Sequence, residues 1–227
     1  MMRGVFVTGT DTGSGKTVVA AALIHALRGR GLAVAGFKPV AAGAEPLQGQ
    51  PRNEDALALL AASGLDLPYA DVNPYCFVPP IAPHIAAAEQ GCRIEAGPLL
   101  AAAARLSEKT DYLVAEGAGG WRVPLSSELD MQGLAALLGL PVVLVVGLRL
   151  GCLNHALLSA DAIRAAGQPL AGWVGSALEP DMARYRENLV TLRERLHAPC
   201  LGVLPHSPDS NPRELAHFLD TAPLLSA

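Results

Sequence analysis

The sequence predicts an α/β fold, a mostly parallel β-sheet with helices on both faces, in a single domain over residues 1–227. Three observations lead there. Short apolar runs recur along the chain, helical patterns fall between several of them, and no low-complexity linker or internal repeat divides it. Strand–helix alternation implies a parallel sheet covered on both faces, with ligands outside the carboxyl ends of its strands. A chain of 227 residues, 51% hydrophobic and with a mean hydropathy of +0.31, buries a sizeable core.

In chain order, the expected strands are Val5–Thr8, Ala33–Phe37, Tyr112–Glu116, Val142–Val146, Ala171–Gly175 and Leu201–Leu204. The expected helices are Thr17–Arg28, Leu129–Leu138, Leu153–Ala165 and Met182–Leu196. Between Ala41 and Thr110 the pattern is less regular, with proline clusters such as Val78-Pro79-Pro80. That stretch reads as helices and loops laid over the active edge, not as a separate domain. Met131–Leu148 carries no charge and is long enough to span a bilayer. Pro141, helped by Gly133, Gly139 and Gly147, divides it into a buried helix over Asp130–Gly139 and a β-branched strand over Val142–Val146.

Composition argues against several functions. A net charge of −4 offers no basic excess for nucleic acid or an acidic membrane, and 4% aromatic residues leave few stacking platforms. Cys76, Cys92, Cys152 and Cys200 form no CxxC pair and read as reduced thiols. With a strand beginning at Val5, no targeting segment is expected and the protein is placed in the cytoplasm.

The first strand runs into "VFVTGTDTGSGKTVVA", Val5–Ala20, where Gly13, Ser14, Gly15, Lys16, Thr17 and Val18 open a helix. Backbone N–H groups of such a loop converge on one concavity, and the helix dipole favours an anion there. Lys16 would reach the β- and γ-phosphates of ATP, and Thr17 would offer its hydroxyl to Mg²⁺. The P-loop pattern asks for glycine six places before the lysine, where Thr10 stands and Gly9 is one place early. The strand-to-helix context makes good that departure and predicts a P-loop NTPase-like sheet; the alternative is an ordinary βα turn with accidental glycines.

Three charged residues belong to the same edge. Glu116 ends the apolar run of "DYLVAEGAGG" and is followed by Gly117, Ala118 and Gly119, which let backbone approach a nucleotide. A carboxylate there can complete a Mg²⁺ shell. Lys38 ends the second strand, and Asp55 lies in the first turn of a helix in "RNEDALALL". Asp55 could equally serve the helix dipole, and Lys38 could be a solvated strand end. Taken together, two lysines and two carboxylates at one loop favour phosphoryl transfer over passive binding.

The segments "VTGTDTGSGKT", "AGFKPVAAG", "NEDALAL", "VNPYCF", "PHIAA", "VAEGAGGWRVPL", "PVVLVVGLRLGCLNHALLS" and "LAGWV", in this order and spacing, resemble the dethiobiotin synthetase family as far as about Leu204. The resemblance implies an ATP- and Mg²⁺-dependent cyclo-ligase of biotin synthesis, a homodimer that closes the ureido ring of dethiobiotin from 7,8-diaminononanoate and CO₂. It implies catalytic roles for Lys16, Lys38 and Thr12, and metal ligation by Thr17, Asp55 and Glu116. Ala42 falls in the substrate region, and the backbone of Gly151, Cys152, Leu153 and Asn154 at a helix start would take the substrate carboxylate. Asn154 and His155 could instead merely cap that helix. His84 reads as an interface or structural residue. Adenine is expected near Ser176–Ala177 and Pro205, His206 and Ser207.

Three departures from the family pattern stand out. Ala42 occupies a place usually taken by serine, Ser176 replaces the asparagine that commonly reads the adenine edge, and Asn188 stands where some relatives carry a tyrosine. Two other classes share the architecture. Amide-forming ligases of cobyrinate or CTP synthesis normally add a glutaminase domain, for which this length leaves no space. Partitioning ATPases, which act as switches on DNA, membrane or protein, typically carry an extra lysine early in the loop, where this chain has Asp11.

Overall fold

The computed structural model describes residues 2–47, 49–207 and 211–225. Six parallel strands form the central sheet: β1 (Gly4–Gly9), β2 (Val34–Phe37), β3 (Tyr112–Gly120), β4 (Val142–Leu148), β5 (Leu170–Ala177) and β6 (Cys200–Leu204), in the order β6-β5-β4-β1-β3-β2. The longer helices are α1 (Lys16–Arg28), α2 (Glu54–Ser63), α3 (Ala96–Ser107), α4 (Met131–Leu138), α5 (Cys152–Ala165) and α6 (Tyr185–Arg195). Among the described residues no helix is long and apolar enough to cross a membrane.

The two-residue period of the strands divides the core. Val5 and Val7 of β1 join Val114, Val143, Val145 and Val174 in a cluster beneath Val19, Leu23 and Leu27 of α1. Phe6, between them, points to the opposite cluster with Ala115, Leu144 and Trp173, which α3, α4 and α5 cover. Strands buried on both faces must be apolar at every position, which is why β1 and β4 read as continuous hydrophobic runs.

The uncharged stretch divides at Pro141 as expected. Asp130 accepts from the Gly133 N–H at 2.8 Å to cap α4, Gly139 ends it at φ 65°, and β4 begins at Val142. Other boundaries move. Helix α6 starts at Tyr185 rather than Met182, because Arg184 takes a left-handed φ of 56° before it. Strand β3 does not stop at Glu116 but runs on to Gly120. Its register against β1 slips between Val7↔Glu116 and Gly9↔Gly120, so the glycine-rich end bulges away from the ladder. The irregular stretch holds two small ribbons as well as helices: Val40–Ala42 pairs in parallel with Tyr75–Phe77, and Glu45–Leu47 antiparallel with Gln50–Arg52. Three-residue strands interrupted by Pro46 and Pro51 carry too little alternation to be read from sequence.

Candidate active site

Strand β1 lies between β3 and β4 while the chain proceeds from it first to β2, so the strand order reverses beside β1. A crevice opens at that point in open α/β sheets. Here it is a cleft of about 740 Å³. It is lined by Thr12, Gly13, Gly15, Lys16, Thr17 and Val18 of the loop, by Lys38, Ala42, Asp55, Glu116, Ala118 and Gly119, and by Pro80–Pro83 from above.

The loop is built on left-handed glycines. Gly13 has φ 74°, and Gly15 has φ 88° and caps α1, a conformation that costs a residue with a Cβ about 1 kcal/mol or more. Thr10 N–H donates to Val145 O at 3.0 Å, and Arg149 pairs with Asp11 at 2.6 Å, which ties the loop to the end of β4. Lys16 folds back over the loop, its ammonium donating to Asp11 O at 3.0 Å.

Four side chains meet on the floor. Lys38 Nζ donates to Asp55 Oδ2 at 2.9 Å and to Glu116 Oε1 at 2.5 Å, and Thr17 Oγ1 donates to the same Glu116 oxygen at 2.9 Å. Glu116 is fully buried and the Lys38 side chain is 4% exposed, whereas Asp55 is one-third exposed at 33%. Burial alone would push the Lys38 pKa down, but the Glu116 and Asp55 charges outweigh it and hold the ammonium above its ordinary value. Burial likewise pushes Asp55 up, and the Lys38 charge beside it brings the carboxyl below the usual range. Lys16 is lowered by burial and then by Lys38. Lys38 is therefore no solvated strand end.

Three residues that sequence reasoning missed hold this floor. Asn53 caps α2 by accepting from the Ala56 N–H at 3.3 Å, and its own N–H donates to Tyr69 Oη at 2.9 Å. That fixes the turn carrying Asp55. Asn73 Nδ2 donates to Lys38 O at 2.7 Å, while Lys38 N–H donates to Val72 O at 2.8 Å. Asparagine before the acidic "ED" was a legible cap signal; Asn73 and Tyr69 give none, because the groups through which they hold the floor, Lys38 O and Asn53 N–H, lie 35 and 16 residues away.

The arrangement suits a divalent cation. Glu116 Oε2 is buried with no hydrogen-bond partner, beside a second carboxylate and a hydroxyl. Among the described residues no group of three or more His, Cys, Asp or Glu side chains could form an all-protein metal cage. One or two carboxylates, with phosphate oxygens and water completing the shell, is the manner in which Mg²⁺ is held.

Other expected residues lie outside the cleft lining. Ser14 packs its buried side chain over Gly9 and Gly147. Gly117 faces the Phe6 ring and Met131, where a Cβ would approach Phe6 Cε1 to 3.2 Å, so its smallness serves packing. Ser176 is buried against Gly15, with its Cβ 3.1 Å from where a Cβ on that glycine would fall, and Ala177 follows it at the end of β5. Pro205 and His206 are exposed just beyond β6. Gly151 caps α5 at φ 95° with no side-chain cap, so neither Asn154 nor His155 is a cap. The Cys152 N–H donates to Arg149 O at 3.0 Å. His84 Nδ1 is buried without a partner.

Residues 3–214 match the family model described as AAA domain. The chain is 54% identical over 224 residues to the ATP-dependent dethiobiotin synthetase BioD of Pseudomonas paraeruginosa, covering 98% of both chains. It is 51% identical over 217 residues to the protein of the same name from Aromatoleum aromaticum, covering 96% of each. This chain belongs to the dethiobiotin synthetase family. Members are ATP-dependent ligases, and the chain is one. A ParA family ATPase from Chlorobium tepidum aligns with all of this chain and 92% of its own at a TM-score of 0.57 and 16% identity, a likeness of fold.

Proposed function

We propose that this protein closes the ureido ring of dethiobiotin from 7,8-diaminononanoate and CO₂, with ATP as phosphoryl donor and Mg²⁺ as cofactor. The observation that carries the reading is the buried Lys38 ammonium between Asp55 and Glu116, on the floor of the cleft that Lys16 borders. One amine takes up CO₂ as a carbamate. A carbamate oxygen attacks the γ-phosphorus and ADP leaves, giving a carbamic–phosphoric anhydride. The second amine then attacks the carbamoyl carbon, phosphate departs and the ring closes. No covalent enzyme intermediate is required, so positioning and charge neutralisation suffice.

Lys16 steadies the transferring phosphoryl oxygens, and Lys38 neutralises the carbamate beside them. Thr12, whose Oγ1 lies 3.6 Å from where a Cβ on Gly119 would fall, holds the carbamate or an amine by its hydroxyl. Thr17, Asp55 and Glu116 hold Mg²⁺, which neutralises phosphate charge when bound. The loop amides of Gly13–Val18 cradle the phosphates, while Gly117, Ala118 and Gly119 border the nucleotide. The start of α5, Gly151–Asn154, receives the substrate carboxylate; with the Cys152 N–H committed to Arg149, the amides of Gly151, Leu153 and Asn154 carry that contact. Adenine lies toward Ser176, Ala177 and Pro205–Ser207. The protein acts as a single-domain subunit of a cytoplasmic homodimer.

The test is direct. The protein is incubated with ATP, Mg²⁺, bicarbonate and the diamine, and dethiobiotin is sought by mass spectrometry. Phosphate release that ignores the diamine but rises with DNA or lipid would refute the reading.

A further inference from the structure

Lys38 and a divalent cation need the same two carboxylates. Lys38 Nζ lies on Glu116 Oε1 at 2.5 Å and on Asp55 Oδ2 at 2.9 Å, and Thr17 shares the first of these. Glu116 Oε2 is free of the ammonium, but an ion ligated by Asp55, Glu116 and Thr17 must still take the shared oxygens from Lys38 or crowd against its charge. Burial makes the contest sharp: a lone carboxylate as buried as Glu116 is costly, and so is a lone ammonium as buried as Lys38. The backbone of Lys38 cannot yield, since both its N–H and its carbonyl are engaged, by Val72 O and Asn73 Nδ2. Only the butyl arm can swing.

Where it can swing is set by the neighbouring charges. Lys16, also buried, stands on the loop side, so a displaced Lys38 ammonium meets like charge there unless an anion intervenes. A polyphosphate held by the loop would be such an anion, since the loop lines the same cleft.

We propose that Lys38 is the resident counter-cation of the metal-binding carboxylates, surrendering Asp55 and Glu116 to a divalent ion only when a nucleoside polyphosphate arrives to receive its ammonium. This rests on the assignment of Thr17, Asp55 and Glu116 as metal ligands. It adds an order to the events: metal alone binds weakly, metal and nucleotide bind together, and the same displacement carries the Lys38 charge to the phosphoryl group.

The experiment uses Mn²⁺ as the probe, with the free ion counted by electron paramagnetic resonance in titrations of the full chain. Without nucleotide, Lys38→Gln should bind Mn²⁺ at least about tenfold more tightly than the unaltered protein, because a unit charge a few ångströms away has been removed. Lys38→Arg, which keeps the charge, should stay weak. Adding Asp55→Asn to Lys38→Gln should abolish the gain, which locates the ion. ADP should raise Mn²⁺ affinity in the unaltered protein far more than in Lys38→Gln. Should Lys38→Gln fold only when Mn²⁺ is supplied, the ion has replaced the ammonium and the proposal stands. Equal or weaker binding by Lys38→Gln overturns it, as does failure to fold with Mn²⁺ present while Lys38→Arg folds. The product assay separates this from the reaction assigned above. Dethiobiotin without the Mn²⁺ exchange sinks the counter-cation alone, and the exchange without dethiobiotin sinks the reaction alone.

Discussion

Glu116→Gln isolates the electrostatics of the cleft floor, because it keeps the side-chain shape and removes one charge. The ammonium of Lys38 would then remain buried with Asp55 as its only carboxylate, and that group is 33% exposed and screened by solvent. At an effective dielectric near 20 and a charge separation of roughly 4 Å, the lost attraction is about 4 kcal/mol. Removing one partner of a buried pair costs about 3–5 kcal/mol, in agreement. The Gln carbonyl oxygen can still accept from Thr17 Oγ1 and Lys38 Nζ, with its NH₂ in the place of the unpartnered Oε2, so the change removes the charge rather than the hydrogen bonds. For a chain of this size the melting temperature should fall by about 10 °C. Urea unfolding in chelator-containing buffer at neutral pH measures it, with the buried Trp121 and Trp173 as fluorescence probes. Thr17→Val, which loses one hydrogen bond, should cost only about 1 kcal/mol. A loss below about 1 kcal/mol for Glu116→Gln, the level of an exposed ion pair, would refute the buried-pair reasoning.

Thr17→Ala should weaken ATP turnover in a way that raised Mg²⁺ partly restores, whereas Lys16→Ala should show no such rescue; steady-state kinetics across Mg²⁺ concentrations decide it. Gly15→Ala places a Cβ against Ser176 at a φ of 88°, so nucleotide affinity measured by calorimetry should drop at least about tenfold, with a stability loss of about 1 kcal/mol or more. Ser176 offers a short hydroxyl where an asparagine amide could donate and accept together, so turnover with GTP and CTP should approach that with ATP, and Ser176→Asn should sharpen the preference for ATP. Burial pushes the Tyr69 and Tyr112 phenols up to about 12 from 10.0. A raised folded-state pKa contributes stability below the unfolded value and loses it as pH climbs through the folded one. Stability measured by urea unfolding should therefore fall between about pH 10 and 12, alongside phenolate absorbance. Asp55, lowered from 3.8, acts in the opposite sense, and its contribution disappears as pH falls below that value.

Much of the site was legible because its signals are local. A phosphate loop must be contiguous to aim its N–H groups at one point, so Gly13–Thr17 announces itself in a few residues. Lys38 and Glu116 follow apolar runs that only a buried parallel sheet explains, and the helix start at Asp55 is visible from its asparagine and acidic pair. Strand β3 looked shorter than it is because glycines do not read as strand, although the backbone keeps pairing past the bulge.

The sequence by itself determined the alternating sheet, the loop and the identity of the charged residues, since each rests on hydrophobic period or turn chemistry within a short window. The tertiary structure alone decided that Lys38, Asp55, Thr17 and Glu116 share one oxygen cluster. Those residues span Thr17 to Glu116, and their meeting depends on β3 inserting between β1 and β2. It also decided that Asn73 and Tyr69 hold the floor, and that Gly117 serves Phe6 rather than the cleft. Such facts come from strand order and register in the central sheet, in which every pairing joins residues far apart along the chain, and no local pattern encodes a partner that far away.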